Sequence, residues 1–308
     1  MGYVLRKLGA GSNLEITQAE YEAIKNSKAM YVQLIRVEQN FDAVMEDYVE
    51  LENTISNYAV RYLAFHLMDE SDAFDAAQGT ISRRIVHVLA TARLYRDALR
   101  QHGKAVLKAD GTFQQIEAAL KDAPNQPMSF RIVEALRNYS QHSALPISSM
   151  MAGSQWESSE TERKDRASYF IVPRIDAIKV SRDRNLATDV RAELTKLGEE
   201  ADIIGHIRKY IEHLGSIHNT FRKLTATREK EWAATMKDAM ARYKQAINAG
   251  EKIIAVLALQ TDGRRSVEEI QLFDEFFDHY KFLKRKNGTQ ANLSRRYVQW
   301  AGLPRLGE

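Results

Sequence analysis

A chain of 308 residues with 44% hydrophobic content can bury a substantial core, as one large domain or two small ones. Its 15 glycines and 5 prolines are too few for an all-β fold with many tight turns, and no apolar run approaches the about 20 residues that span a bilayer. The lack of cysteine excludes disulfides, thiol nucleophiles and cysteine-based zinc sites, and a net charge of +3 points to nucleic acid only if the basic residues cluster. The opening MGYVLRKLGAGS has no apolar stretch long enough for a secretory signal. Arg6 stands where N-myristoylation needs Ser or Thr. A cytoplasmic location is expected.

In chain order, the first strong pattern is a heptad seam. Met30, Leu34, Val37, Phe41, Val44, Tyr48, Leu51, Ile55, Tyr58, Tyr62 and Phe65 alternate spacings of four and three without a break. This period of 3.5 marks a helix packed along most of its length, about 55 Å if continuous. It serves either as a core stripe of a bundle or as a dimerising coiled coil. After the breaker stretch DESDAFDAAQG, a second helix is expected from Thr80 as N-cap, with Ile81, Ile85, Val88, Ala92, Tyr95 and Leu99 as its seam. A short helix over Phe113–Leu120 follows. DAPNQP then separates it from a fourth, starting near Met128 and stopped by Pro146.

Residues 147–180 change character. ISSMMAGSQW and the β-branched FIVPRIDAIKV read as a β-hairpin, joined by the charged linker ESSETERKDR. Helical pattern resumes from about Ala187 to Gly250, in two or three segments. KIIAVLAL reads as a short strand or a buried helical turn. Ser266 and Glu269 match a Ser-x-x-Glu capping box, expected to open a last helix running to about Leu283.

The fourth helix carries EALRNYSQHSALP, residues 134–146, and with it Arg137-Asn138-x3-His142. Three other Arg/His pairs share the loose spacing: Arg61/His66, Arg96/His102 and Arg208/His213. Arg137 alone is followed by Asn. Arg96-Asp97-x4-His102 is the main rival, since Asp is also polar and its helix ends nearby.

The run LRNYSQHSALP, at the end of a helix that comes after several others, resembles the motif of the HEPN superfamily. The resemblance covers about residues 17–146. It implies a mainly α, HEPN-like bundle of long antiparallel helices, here with a small β-hairpin insertion. The corresponding division is a helical domain over 1–146, the hairpin insertion over 147–182 and a C-terminal helical region over 183–308. It also implies a metal-independent endoribonuclease acting on tRNA or mRNA, often a bacterial toxin or anti-phage effector, with no cofactor and no metal. Expected partners are RNA, a second copy of the chain and an antitoxin or regulatory protein, with no membrane.

The chemistry of such a cleavage suits these residue types. The ribose 2′-OH attacks its own phosphorus, so a base must take its proton and an acid must protonate the departing 5′-oxygen. Histidine serves either role near neutral pH, assigned here to His142. Charge gathering on the phosphorane suits the two parallel donors of a guanidinium, assigned to Arg137. Asn138 can donate and accept, and lies four residues from His142 on one helix face. Arg137 and His142, five apart, diverge by about 140° on a regular helix. A two-fold dimer that brings two such helix ends together would relieve that divergence. The bland alternative is that Arg and His sit at a helix C-terminus because they complement its dipole, leaving a non-catalytic adaptor for a nucleotide or a partner.

Other features are weaker. His206, His213 and His218, with Glu212, lack the spacing of a helical metal-binding pair. His87 beside Arg83 and Arg84 reads as surface. Lys284, Arg285, Lys286, Arg295 and Arg296, with Tyr297 and Trp300 adjacent, interleave basic and aromatic side chains as single-stranded RNA sites do, or form a solvated tail.

Overall fold

A Thr-x-x-Glu capping box opens the longest helix. The Thr17 N–H donates to Glu20 Oε2 at 2.7 Å, and the Glu20 N–H to Thr17 Oγ1 at 3.2 Å, so two donors of the first turn are satisfied reciprocally. From there α1 (Gln18–Phe65) runs unbroken. The computed structural model describes residues 1–9, 11–66, 71–108, 111–121, 125–157, 166–247, 253–263 and 265–296. Before α1 come β1 (Gly2–Lys7) and β2 (Leu14–Glu15). After it come α2 (Ser71–Ala98), a π-helical turn (Leu99–Gly103), α3 (Lys104–Leu107), α4 (Phe113–Leu120) and α5 (Met128–His142). The hairpin β3 (Ser149–Glu157) and β4 (Arg166–Ile175) precedes α6 (Ala177–Ser181), α7 (Thr188–Leu197), β5 (Ala201–Asp202) and α8 (Ile204–Ala246). The chain continues with β6 (Val256–Thr261), β7 (Ser266–Leu272), α9 (Asp274–Lys286) and a 3₁₀ turn (Leu293–Arg295). The protein is mainly α with two small antiparallel sheets, ordered β2-β1-β6-β7 and β3-β4-β5.

The residues divide into two compact units. One comprises Met1–Val44, Thr91–Lys121 and Ile217–Gly288; the other comprises Met45–Ala90, Asp122–Ser216 and Thr289–Glu308. Three of the five boundaries fall inside α1, α2 and α8, so each long helix contributes to both.

In the first unit the seam of α1 is core. Leu34, Val37, Phe41 and Val44 are fully buried, each such side chain contributing about 1.5–3 kcal/mol of transfer free energy. Phe41 packs on Tyr95 of α2, and Tyr31 on Phe276, Phe277 and Tyr280 of α9. This stretch is therefore the stripe of an intramolecular bundle and not a free coiled-coil face. In the second unit Leu51 is buried, but Ile55, Tyr58 and Tyr62 are only partly covered and Phe65 is exposed. The expected second seam is buried at all six positions, the first five in α2 and the last, Leu99, in the π-helical turn.

Several boundaries differ from expectation. α2 begins at Ser71, not Thr80; the Thr80 hydroxyl lies within the helix and donates to the Ala76 carbonyl. Ala73, Ala76 and Ala77 favour helix strongly enough to carry the chain through Gly79, which costs about 1 kcal/mol. Burial of Ala77 and a bond from Gln78 to the Ile147 carbonyl hold this first part down. The hairpin forms with Ser154 opposite Tyr169, but AIKVS turns into α6, where the Asp176 carboxylate accepts from the Lys179 N–H as N-cap. The linker residues 158–165 lie outside the described residues.

The Ser266/Glu269 capping box does not exist. Ser266–Leu272 is strand β7, with Glu269 opposite Leu259, and the last helix starts at Asp274. Of KIIAVLAL, the last four residues, Val256 to Leu259, are buried strand β6, and Lys252 lies outside the described residues. β6 lies between β1 and β7, so its near-continuous apolar run suits an interior strand.

Candidate active site at the end of α5

α5 is anchored through its first half. Ser129 through Leu136 are buried, Phe130 stacks on Tyr210 of α8 at 5.1 Å, and Arg131 makes a two-pronged ion pair with Asp189 of α7, its Nη2 donating to Oδ1 at 2.8 Å. The last turn emerges. Arg137, Asn138, Tyr139 and Ser140 are half-buried and His142 is exposed. Ser143 leaves the helix, its N–H bonded to the Tyr139 carbonyl at 2.8 Å.

Two of the three expected catalytic residues touch. Arg137 Nη2 donates to Asn138 Oδ1 at 2.7 Å. Arg137 Nε lies 3.4 Å from Glu134 Oε2, one turn back, and the Glu134 carboxylate is only 4% exposed. Glu134 in turn accepts the Tyr210 hydroxyl at 2.6 Å. A buried acid that α8 holds in place thus lies beneath the guanidinium as its counter-charge, in ionic contact without a hydrogen bond from Nε. His142 is not brought to it. Its imidazole stands in solvent past the pair, with no hydrogen bond among the described residues. The sequence reading missed Glu134 and Tyr210. An acid three residues before an arginine on one helix face was the available sign of the first.

The competing motifs are differently occupied. Arg96 is 2% exposed and donates to the Leu120 carbonyl at 2.7 Å, with Arg100 on the same oxygen at 3.0 Å. Together they cap the C-terminal end of α4, where cations are favoured. Its partner His102 bonds Gln33 at 2.6 Å from the π-helical turn, and burial holds its pKa below the ordinary value. That turn fits because Gly103 has no Cβ, which would approach Leu99 Cδ1 to 2.9 Å and the Phe221 ring to 3.3 Å. Arg208 is locked bidentate on Glu52, both contacts at 2.7 Å, and His213 meets the Phe130 ring edge-on. Arg61 and His66 are both exposed; His66 comes after α1 with a left-handed φ of 52° and packs at the edges of Tyr62 and Tyr169.

The expected RNA-contacting residues have mixed placements. Lys284 pairs with Glu229 at 2.6 Å and Lys286 with Asp42 at 2.7 Å, whereas Arg285 is exposed on α9. Arg295 and Arg296 are exposed around the 3₁₀ turn, which Glu212 holds through the Ser294 N–H and hydroxyl. Tyr297 and Trp300 lie outside the described residues.

The three α8 histidines occupy separate environments. His206 bonds Ser129, His213 packs on Phe130, and His218 is fully buried. Around His218 lies a polar network that the sequence reading missed. Glu38, 1% exposed, accepts from Arg222 Nε at 2.8 Å and Nη2 at 2.6 Å, and from His218 Nε2 at 3.2 Å. His218 Nδ1 faces the Tyr95 hydroxyl at 3.1 Å, and its ring stacks on Phe41 at 4.0 Å. Burial alone would raise the Glu38 pKa, but the Arg222 and His218 contacts outweigh it and hold it down to about 2. Burial lowers the pKa of His218 despite the carboxylate beside it. The ring is therefore neutral at pH 7, with Nε2 donating to Glu38 and Nδ1 accepting from Tyr95. Among the described residues no group of three or more His, Asp or Glu side chains could hold a metal ion, and no helix is long and apolar enough to cross a membrane.

No family model, curated protein or solved structure matches the chain. Its function must be sought in its own residues.

Proposed function

We propose that the protein is a metal-independent endoribonuclease whose reacting groups lie on the last turns of α5. The observation that carries the reading is the contrast within that helix: Arg137 is fixed against Asn138 and Glu134, while His142 is exposed and unbonded. A guanidinium already in place meets charge developing on a phosphorane with little reorganisation, and an exposed imidazole is open to a substrate as a proton donor or acceptor. His142 is the acid/base, Arg137 the phosphate stabiliser and Asn138 the group that positions them. The divergence of about 140° between Arg137 and His142 is answered by a second copy, whose helix end supplies the missing half of the site. The substrate is RNA, because the attacking nucleophile is the 2′-hydroxyl. A role as a toxin or defence effector, restrained by an antitoxin or regulatory protein, is drawn from the resemblance to HEPN proteins.

A second reading has its own observation. Glu134 already supplies a buried counter-charge to Arg137, as a purely structural helix end would require. On that reading the protein is a non-catalytic adaptor.

Incubating purified protein with total tRNA in EDTA separates the two. The nuclease reading expects cleavage with 2′,3′-cyclic phosphate ends, abolished in His142→Ala and in Asn138→Ala. Wild-type protein that leaves tRNA and mRNA intact, or cleavage that survives both substitutions, would refute it.

A further inference from the structure

Within the first unit, α8 and α9 carry a second constellation, independent of the ribonuclease reading. Glu229, Lys230, Ala233, Ala234 and Lys237 follow helical spacing along one face of α8. With Tyr31 of α1 and Phe277 and Lys281 of α9 they line a cavity of about 310 Å³. That volume is at the lower end of small-molecule sites. Two alanines leave room where larger side chains would fill the groove.

The charges around it do not cancel. Glu229 is already neutralised by Lys284 at 2.6 Å and also accepts the Tyr280 hydroxyl at 3.2 Å. Lys281 pairs with Asp278 at 3.2 Å. Lys230 and Lys237 have no acidic partner among the described residues, and Lys237 Nζ stands 5.0 Å from the centre of the Phe277 ring. Tyr31 is 2% exposed, lines the cavity, and its hydroxyl has no hydrogen-bond partner among the described residues. The hydroxyl oxygen is not sealed in the core, so a ligand in the cavity can accept from it.

We propose that this cavity binds a small phosphate monoester, its phosphate between Lys230 and Lys237 and its organic body against Ala233, Ala234 and Phe277. A phosphate monoester carries nearly two negative charges at neutral pH, matching the two ammonium groups left over. Its oxygens accept from lysine and from the Tyr31 hydroxyl. The adjoining aromatic cluster already holds a cation: Lys28 Nζ is 3.2 Å from the centre of the Phe276 ring, which packs on Tyr31 and Phe277. The cavity is too small for a folded partner.

Isothermal titration with adenosine 5′-monophosphate, adenosine and inorganic phosphate tests this. The nucleotide is expected to bind at least tenfold more tightly than either fragment. Lys230→Ala/Lys237→Ala, at positions that the fold does not need, is expected to weaken it at least tenfold, as is Ala233→Leu, which fills the cavity without changing charge. Lys223→Ala on the same helix should bind like wild type. The proposal is overturned if wild-type protein gives no binding at millimolar nucleotide. It is also overturned if the double-lysine variant binds as wild type does, or if inorganic phosphate alone matches the nucleotide. Should Ala233→Leu fail to fold, the lysine pair decides.

Discussion

Replacing Glu38 by alanine removes the one carboxylate that both Arg222 and His218 face. Three hydrogen bonds go at once, at 2.6, 2.8 and 3.2 Å. Arg222, whose side chain is 11% exposed, is left charged and almost dry. Removing one partner of a buried pair costs about 3–5 kcal/mol, most of it from the stranded charge. The pKa route agrees: a carboxyl held at about 2 against its ordinary 4.5 corresponds to about 3 kcal/mol at neutral pH. Glu38→Ala should therefore move the urea midpoint, read by circular dichroism at pH 7.5, to a loss of at least about 3 kcal/mol. Glu38→Met with Arg222→Met should recover much of this loss, because no charge is then stranded and the pocket is refilled; what remains is the lost bond from Arg222 to the Asn287 carbonyl and the His218 Nε2–H left without its acceptor. A loss under about 1 kcal/mol for Glu38→Ala, or a double variant as unstable as the sum of its singles, would show that the network is not a paired charge system.

Acid should act on the same network in two stages. His218 is buried neutral, so the unfolded chain takes up its proton first and stability falls as pH drops below about 6.5. Glu38 has a depressed pKa, so its contribution is present above 4.5 and lost as pH falls towards 2; the Glu38→Gln variant should lack this lower stage in pH-dependent unfolding. At the α5 site, His142→Ala should leave stability within about 0.5 kcal/mol of wild type, whereas Arg137→Ala should cost about 1–3 kcal/mol by stranding Glu134. Equal thermal shifts for the two would contradict the burial described for them. Finally, burial lowers the Lys28 pKa to about 8. About one amine in five is then neutral at pH 7.4, against about one in a thousand for an ordinary lysine. Acylation followed by peptide mass mapping should find Lys28 modified about tenfold faster than Lys25; labelling no faster than Lys25 would mean that attraction to the Phe276 ring keeps it protonated.

Hydrophobic period carried most of what was legible. It revealed the α1 seam, the α2 seam and the bounds of α4 and α5, because in each a buried stripe and a local breaker coincide. Capping patterns were less dependable. Thr17-x-x-Glu20 is a working box and Ser266-x-x-Glu269 is not, although the spacing is the same. The difference lies in the downstream segment: Ser266 leads into a stretch whose Ile270 and Leu272 alternate inward against β6, a tertiary pairing that four letters do not contain. β1 was missed for the same reason, since GYVLRK is too short to show a period by itself. At the candidate site, Arg137, Asn138 and His142 were visible as a motif. The buried acid beneath them was not, because its second partner, Tyr210, is 76 residues away. The Glu38–His218 contact spans 180 residues, and its only local sign was His218 and Arg222, four apart, set among Leu214, Ile217 and Phe221.

The pairing of β1 with β6, Gly2 opposite Thr261 through to Lys7 opposite Val256, bears on how the chain is born. The first strand leaves the ribosome about 250 residues before its neighbour, an interval of about 12–50 s at usual elongation rates. Val4 and Leu5, buried at the end, spend that interval with only the two-residue β2 beside them, while α1 can form within about a microsecond of its synthesis. β1 is thus secured long after it is made, and a ribosome stalled before β6 would display an unpaired strand edge of the kind that recruits chaperones.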